Sequence, residues 1–237
     1  AQLDFIVLGD YFTEGQDHMM RVLLVAAATE MVEAFVETVT TAGIQPSGVD
    51  LVPFAVARAV SSVARGETGA AGAEAIVDVG GGVTNIVVHH NGEPRFVRIL
   101  LVGGDDVTTA ISELHDVPFE EAEALKFDAA NDVATDDVKR ILRSQVDSLV
   151  EEIRGSLDYY LSQDDSEPVV SIIVTGGGSL TAGLVERIEE TLRTPVLRAT
   201  PLSEINVAKA GLTEEQIAQV QPVSAAAIGL AMGALEK

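Results

Sequence analysis

Apolar residues along this chain form two kinds of pattern, short unbroken runs and stripes recurring at three- and four-residue steps, the signatures of buried strands and amphipathic helices. Leu3–Leu8 and Met20–Ala27 predict two short buried strands separated by a polar loop containing Gly15. Thr29 stands as an N-cap, and Met31, Val32, Phe35, Val36, Val39 and Ala42 make a stripe closing on Gly43, which predicts a helix. Gly48–Val52 reads as another strand. Pro53 suits the first turn of the helix that follows, carried by Phe54–Arg65. Gly66–Gly72, GETGAAG, has neither pattern and is the first candidate boundary.

Beyond it, Ala75–Val79 is an apolar run entering Gly80-Gly81-Gly82. Thr84–His90 and Arg95–Leu101 flank Asn91-Gly92, a pair suited to the two positive φ angles of a type I′ hairpin turn. Gly103-Gly104 precedes a helix reaching Leu114, and a shorter helix follows at Phe119–Phe127. From Thr135 to Gln163 the residues Val138, Ile141, Leu142, Val146, Leu149, Val150, Ile153, Leu157, Tyr160 and Leu161 share one stripe, predicting a long amphipathic helix. Val169–Thr175 runs into a second triplet, Gly176-Gly177-Gly178, with Ser179 opening a helix to Leu192. Pro195–Leu197 predicts a short strand and Ser224–Leu235 a small-residue helix. Strands alternating with helices and hairpins imply α/β layering, with a cleft at the C-terminal ends of the strands beside the two triplets.

Composition narrows the function. The chain has 237 residues with 15 Lys plus Arg against 37 Asp plus Glu, a net charge of −22, so it lacks the clustered cations that nucleic acid or an anionic membrane surface requires. At 47% hydrophobic residues it is apolar enough to fold around a core. No run approaches the ~20 apolar residues of a spanning helix. There is no Cys, hence no disulfide and no thiolate metal site, which suits a reducing compartment. His89 and His90 are adjacent on a strand and face opposite sides, so they read as a solvated strand end rather than a chelating pair.

The two glycine triplets carry the candidate chemistry. A glycine turn at the end of a buried strand lets backbone N–H groups approach an anion, the more so where a helix starts just afterwards. Asp78 lies inside an apolar strand two residues before the first triplet, and a hydrated divalent cation beside phosphate is a natural partner for its carboxylate. Glycines also end strands for purely structural reasons. What favours a nucleotide is both triplets, followed or separated in order by the Gly103-Gly104 helix start and a polar patch.

These segments resemble a known superfamily. AIVDVGGGVTNIVV is similar to the second phosphate motif of the actin-like ATPases, IIVTGGGSLTAGL to their adenosine motif, and SAAAIGLAMG to their second connecting helix. FEEAEALKF resembles the helix that places a Glu and a Lys by the ribose and base. Together with NGEPRFVRILLVGGDDVTTAI, SLDYYL and IQPSGVDLVPFAVARAV, the set looks most like the PilM family of type IV pilus assembly proteins.

The resemblance implies an α/β, actin-like (ribonuclease H-like) two-lobe fold with an inserted small α+β subdomain. It divides the chain into an inserted partner-binding subdomain at 1–46, part of the first lobe at 47–72 and the second lobe at 73–237. A C-terminal helix at 224–236 would connect back to the first lobe. It implies ATP or ADP with Mg2+, the β- and γ-phosphates at Gly80, Gly81, Gly82 and Thr84, and Asp78 near the metal through water. Gly103 and Gly104 would lie near the α-phosphate and ribose, Glu123 and Lys126 near the ribose and base, and Gly176, Gly177, Gly178 and Ser179 around the adenosine. Read without the resemblance, Glu123 and Lys126 are a helix-surface ion pair worth a few tenths of a kcal/mol.

It also implies a function: a cytoplasmic scaffold at the inner face of the cytoplasmic membrane, peripheral to it through partners. Those would be the N-terminal cytoplasmic tail of PilN, with other pilus platform proteins and the assembly ATPase as further candidates, and no nucleic acid. Leu24, Phe35 and Val39 are apolar candidates for the tail groove, with buried core the favoured reading of each. Two departures set the expectation of at most a weak ATPase. The first phosphate motif of the superfamily has no counterpart, as expected of an N-terminally incomplete first lobe, and Val52 and Pro53 stand where relatives carry a water-orienting polar residue. The alternatives are an active ATPase or small-molecule kinase of the same fold, and a division protein like FtsA, which would call for an amphipathic anchor.

Overall fold

The computed structural model describes residues 1–13, 15, 17–61, 72–130, 134–203 and 205–235. Two strands, β1 (Gln2–Phe12) and β2 (His18–Ala27), pair antiparallel, and helix α1 (Thr29–Thr41) follows. Both strands are longer than the apolar runs predicted, because ladder pairing continues through the polar ends. They are not buried strands: Leu3, Phe5, Val7, Val22 and Leu24 are all exposed. Only the alternate residues Ile6, Leu8, Leu23, Val25 and Ala27 are half-covered, as are Val32, Val36 and Val39 of α1. Thr29 lies in the first turn of α1 and Ala28 is the N-cap. Gly43 closes the helix as expected, at φ +82°.

Gly48–Leu51 carries no strand, since no neighbouring strand among the described residues offers it a ladder. Instead the Asp50 carboxylate accepts from the Leu51 N–H at 2.7 Å, and Leu51 caps α2 (Val52–Val60) with Pro53 in its first turn. α2 ends at Val60, where Ser61 is extended (φ −61°, ψ 161°) and serines favour caps and turns over helix interiors; the rest of the predicted helix, positions 62–65, lies outside the described residues. The boundary predicted at GETGAAG falls, but for Gly72, outside the described residues, as does position 236 of the last helix.

The main body is a five-stranded sheet in the order β5-β4-β3-β6-β7, built from β3 (Ala73–Val79), β4 (Thr84–His90), β5 (Glu93–Leu100), β6 (Val169–Thr175) and β7 (Val196–Arg198). β3, β4 and β5 form an antiparallel meander, and β3, β6 and β7 are parallel. The β4–β5 turn uses Asn91 (φ 49°) and Gly92 (φ 85°), as a type I′ turn demands. Helices cover both faces, which is why β3 and β6 read as continuous apolar runs. One face carries α3 (Gly104–His115), α4 (Phe119–Ala130), α5 (Asp136–Leu161) and α6 (Leu184–Leu192) around Val77, Val88, Ile111, Ile153, Tyr160 and Ile188. Each such fully buried side chain contributes roughly 1.5–3 kcal/mol. The other face packs Ile76, Val87 and Ile173 against Val56 and Val60 of α2 and Ala225 of α8 (Ala225–Leu235).

Two expectations are revised by the sheet and its connections, and one helix is added. His89 is not a solvated strand end: it is buried, its Nε2 2.9 Å from Glu74 Oε2, while its Nδ1 accepts from the Gly92 N–H at 3.2 Å. Glu74 faces it across the β3–β4 ladder, so the sheet supplies the partner that makes burial tolerable. Ser179 does not open a continuous helix. A 3₁₀ turn spans Gly177–Leu180, and Gly183 at φ +79° breaks the chain before α6. A helix not anticipated, α7 (Glu214–Val220), starts on a capping box in which Thr213 and Gln216 bond each other's N–H groups at 2.9 and 3.2 Å. Among the described residues, no single helix is long and apolar enough to cross a membrane.

Candidate functional site

Because β3 and β6 are parallel neighbours, Gly80–Gly82 and Gly176–Gly178 leave the sheet side by side at its C-terminal edge. Gly103-Gly104, after β5, arrives at the same point. The Gly80 carbonyl accepts from the Gly104 N–H and the Gly81 carbonyl from the Asp105 N–H, both at 2.9 Å. A Cβ on Gly103 or Gly178 would lie 2.6 Å from the Gly80 oxygen, and one on Gly104 3.3 Å from the Gly178 Cα. Only glycine permits this approach of three backbones. The turns and α4 enclose a cavity of about 280 Å³.

The phosphate-type donors sit in the first turn. Gly80 N–H is used internally by the Val83 carbonyl (2.9 Å), whereas Gly81 and Gly82 N–H have no protein acceptor among the described residues. The amides at the start of α3 go to protein acceptors. The Gly103 N–H is taken by Asp106 Oδ2 at 2.7 Å, and the next two amides join the turns to each other. Gly104 lines the cavity, but the helix start acts as a brace rather than as an anion cradle.

Thr84 and Ser179 also support from beneath. Thr84 is fully buried and donates its hydroxyl to the Val102 carbonyl at 2.8 Å; Ser179 donates to the Gly176 carbonyl at 2.6 Å. Glu123 and Lys126 line the cavity and are no surface pair. Lys126 is buried, its Nζ donating to Glu123 Oε2 (2.7 Å), Thr108 Oγ1 (2.8 Å) and the Gly104 carbonyl (3.1 Å). Thr108 in turn donates to Glu123. All three ammonium protons are engaged, so Lys126 fixes α4 to the glycine turn while Glu123, one-third exposed, faces the space.

Asp78 lies under the first turn. Burial pushes its carboxyl above the ordinary carboxylate range, and the Asn85 Nδ2 donation at 3.1 Å pulls it partly back. Its other oxygen faces Gly176, and the Asp105 carboxylate stands over Gly81. An anion placed on Gly81 and Gly82 would therefore meet negative charge unless a cation lay between. No cluster of three or more acidic or His side chains exists among the described residues to cage a metal. One desolvated carboxylate beside a glycine turn with unused amides could serve only a cation that keeps most of its waters, the Mg2+ regime.

A second concavity, about 510 Å³, lies between β1, the start of α1 and the segment before α2. Leu3, Phe5, Val32, Val49, Leu51 and Phe54 give it apolar walls, and Asp4 and Asp50 line it too. Leu24 and Phe35 do not line it and are exposed elsewhere on the unit, and Val39, in α1, is half-buried and does not line it either. The groove forms at the strand ends that meet the linker, a juxtaposition invisible in the stripe pattern.

A family model described as type IV pilus assembly protein PilM matches residues 1–235. The chain belongs to the PilM family. Among solved structures, a PilM-PilN type IV pilus biogenesis complex superposes with a TM-score of 0.82 at 26% identity, covering 100% of this chain and 67% of that one. An archaeal actin homologue in complex with ADP gives 0.53 at 20% identity, over 82% of this chain and 57% of that one. The cell division protein FtsA of Neisseria meningitidis serogroup B is 24% identical over 205 residues, 76% of this chain and 48% of the relative. The PilM-family chain spans about half the length of the curated relatives it matches, and its fold is actin-like.

Several contributors escape a linear reading. Asn85 follows Thr84 by one residue and could have been paired with Asp78 only through the ladder register. Thr108 sits one helical turn beyond Gly104, a spacing visible in GGDDVT, but its partners Glu123 and Lys126 come from α4. Pro222, whose carbonyl accepts from the Gly176 N–H at 2.8 Å, carries no sequence signal at all.

Proposed function

We propose that this PilM-family chain is a nucleotide-binding scaffold of type IV pilus assembly, holding ATP or ADP with Mg2+ at the glycine turns and the cytoplasmic tail of PilN in the groove of its N-terminal unit. The observation that carries the nucleotide reading is the meeting of three glycine turns around one cavity, with the Gly81 and Gly82 N–H groups left for an acceptor. Gly81 and Gly82 would take the outer phosphates, Asp78 a hydrated Mg2+, Gly104 and Glu123 the ribose side, and Gly177-Gly178 with Phe127 and Val223 the adenosine. Mg2+ would screen phosphate from Asp78 and Asp105. The PilN reading draws on the solved PilM-PilN complex and on an apolar groove also lined by Asp4 and Asp50, suited to a short apolar segment bearing a positive charge. The scaffold would work on the cytoplasmic side of the inner membrane, held there by PilN.

Calorimetric titration of the full-length protein with Mg·ADP and Mg·ATP tests this. A Cβ on Gly81 meets only the movable tip of Asp105, at 2.7 Å, so Gly81→Asp should fold yet place a carboxylate where phosphate binds. Nothing lies within 4 Å of a Cβ on Gly155, which is in α5 and does not line the cavity, and this makes Gly155→Ala the control. Nanomolar to micromolar binding in wild type and control, lost in Gly81→Asp, supports the assignment. Equal binding in all three refutes it.

A further inference from the structure

Helices α2 and α8 cross with their backbones touching. A Cβ on Gly229 would overlap the Ala55 carbonyl and lie 2.9 Å from its Cα. One turn on, a Cβ on Gly233 would lie 2.7 Å from Arg58 Nη1. Gly229 and Gly233 thus leave a smooth channel along α8 in which Ala55 and Arg58 sit. Contacts of this kind, without interlocking side chains, permit the small sliding of one helix past another seen in shear motions.

We infer that Arg58 is a positioning residue that transmits the state of the nucleotide cavity to the partner groove, an inference that rests on the proposed function above. At one end, the segment entering α8 is pinned to the adenosine-side turn. The Pro222 carbonyl accepts from Gly176 N–H (2.8 Å) and the Thr175 hydroxyl (3.2 Å), and Val223 lines the cavity. At the other end, Asp50 lines the groove and anchors the linker through the Leu51 N–H. Arg58 joins the two: its Nη1 donates to the Gly229 carbonyl of α8 at 2.8 Å and to Asp50 Oδ2 at 3.0 Å.

Arg58 lines neither cavity. Its ion pair with Asp50 is largely shielded, 24% and 29% exposed on the two sides, so the charge-assisted bonds are less screened than surface pairs. Any displacement of α8 that follows the glycine turn changes the distance from Gly229 to Arg58. The guanidinium must then release Asp50 or draw it along, and the groove wall at Val49–Leu51 moves with Asp50. Linkage makes the effect reciprocal: a peptide that holds the wall in one position favours one nucleotide state.

The test uses the full-length protein and a synthetic peptide matching the cytoplasmic N-terminal residues of its PilN, titrated with and without saturating Mg·ATP. Wild type is expected to change its peptide affinity by about five-fold or more on adding Mg·ATP. Arg58→Ala should bind Mg·ATP alone as wild type does, while its peptide affinity becomes indifferent to nucleotide. Gly233→Ala, which crowds the guanidinium tip but keeps the charge, should show the same loss and serves if Arg58→Ala fails to fold. Both ligands bound with nucleotide dependence intact in either variant, or absent from wild type, overturns the relay alone. Failure of wild type to bind one ligand overturns the proposed function, and the relay with it.

Discussion

Gly176 and Val79 touch through their backbones: a Cβ on Gly176 would lie 2.6 Å from the Val79 carbonyl carbon, and Gly176 holds φ at +88°. The end of one parallel strand is therefore in contact with the turn that follows its neighbour, and this brings the two glycine motifs into one site. Gly176→Ala combines a disfavoured backbone conformation with a backbone clash and should lower unfolding stability by about 2–4 kcal/mol. Gly82→Ala, in open space, should stay within about 0.5 kcal/mol. Chemical denaturation of the two variants checks the contrast.

Asp78 should make stability depend on pH in a specific sense. Its folded carboxyl titrates above the ordinary value of 3.8, so the folded state holds the proton more tightly than the unfolded chain. The resulting stability is complete below the unfolded value and is lost as pH rises through the folded one. Asp78→Asn, which can still accept from Asn85, avoids that loss. Without nucleotide it should melt above wild type at neutral pH, with the gap closing as pH falls toward about 4. With Mg·ADP the order should change, because the variant gains less from the ligand. Melting curves across pH, with and without Mg·ADP, read both effects.

Lys126→Met removes three hydrogen bonds at once and leaves the Gly104 carbonyl and Glu123 short of a partner. A loss of about 2–3 kcal/mol is expected, together with weaker nucleotide binding. Adding Glu123→Gln should cost less in the Lys126→Met background than in wild type, because the two groups share one network. A double-mutant cycle on denaturation midpoints measures the coupling; additive losses would contradict the network.

Gly229 is the position least able to accept a side chain in α8. Gly229→Ala must separate α8 from α2 at Ala55, and a loss of about 3 kcal/mol or more is expected, at the severe end of single substitutions. Because Gly229 is inside a helix, where alanine is otherwise the better residue by about 1 kcal/mol, a measured destabilisation reports the crossing itself.

Much of the five-stranded sheet and its helices was legible in the sequence. Val169–Thr175 coincides with β6, the Asn91-Gly92 turn falls at its two positive φ angles, and the stripe from Val138 to Tyr160 is the buried side of α5. In each case local pattern and tertiary environment agree. The N-terminal unit was harder because Leu3–Leu8 and Met20–Ala27 have the composition of buried strands, while a lone hairpin with one helix covers only half of each strand. His89 was misjudged for the opposite reason, its partner Glu74 being fifteen residues away and adjacent only through the ladder.

The candidate site was legible as a set of residues and not as a division of labour. The triplets and Gly103-Gly104 do converge, and Glu123 and Lys126 line the same cavity. That Thr84 and Ser179 point into the protein, that α3 spends its first amides on the turns, and that Lys126 is saturated by protein acceptors are consequences of packing between distant segments. Glycine itself illustrates the limit. Gly82 and Gly178 look alike in sequence, yet one borders open space and the other lies against Val79 and Gly80.

The most direct test of the account is a crystal structure of the full-length protein grown with Mg·ADP. Diphosphate density is expected against the Gly81 and Gly82 N–H groups, with a hydrated cation on the Asp78 side and the ribose beside Glu123, Lys126 still bonded to Gly104 and Thr108. Nucleotide bound elsewhere, or a cavity left empty at saturating Mg·ADP, would contradict it.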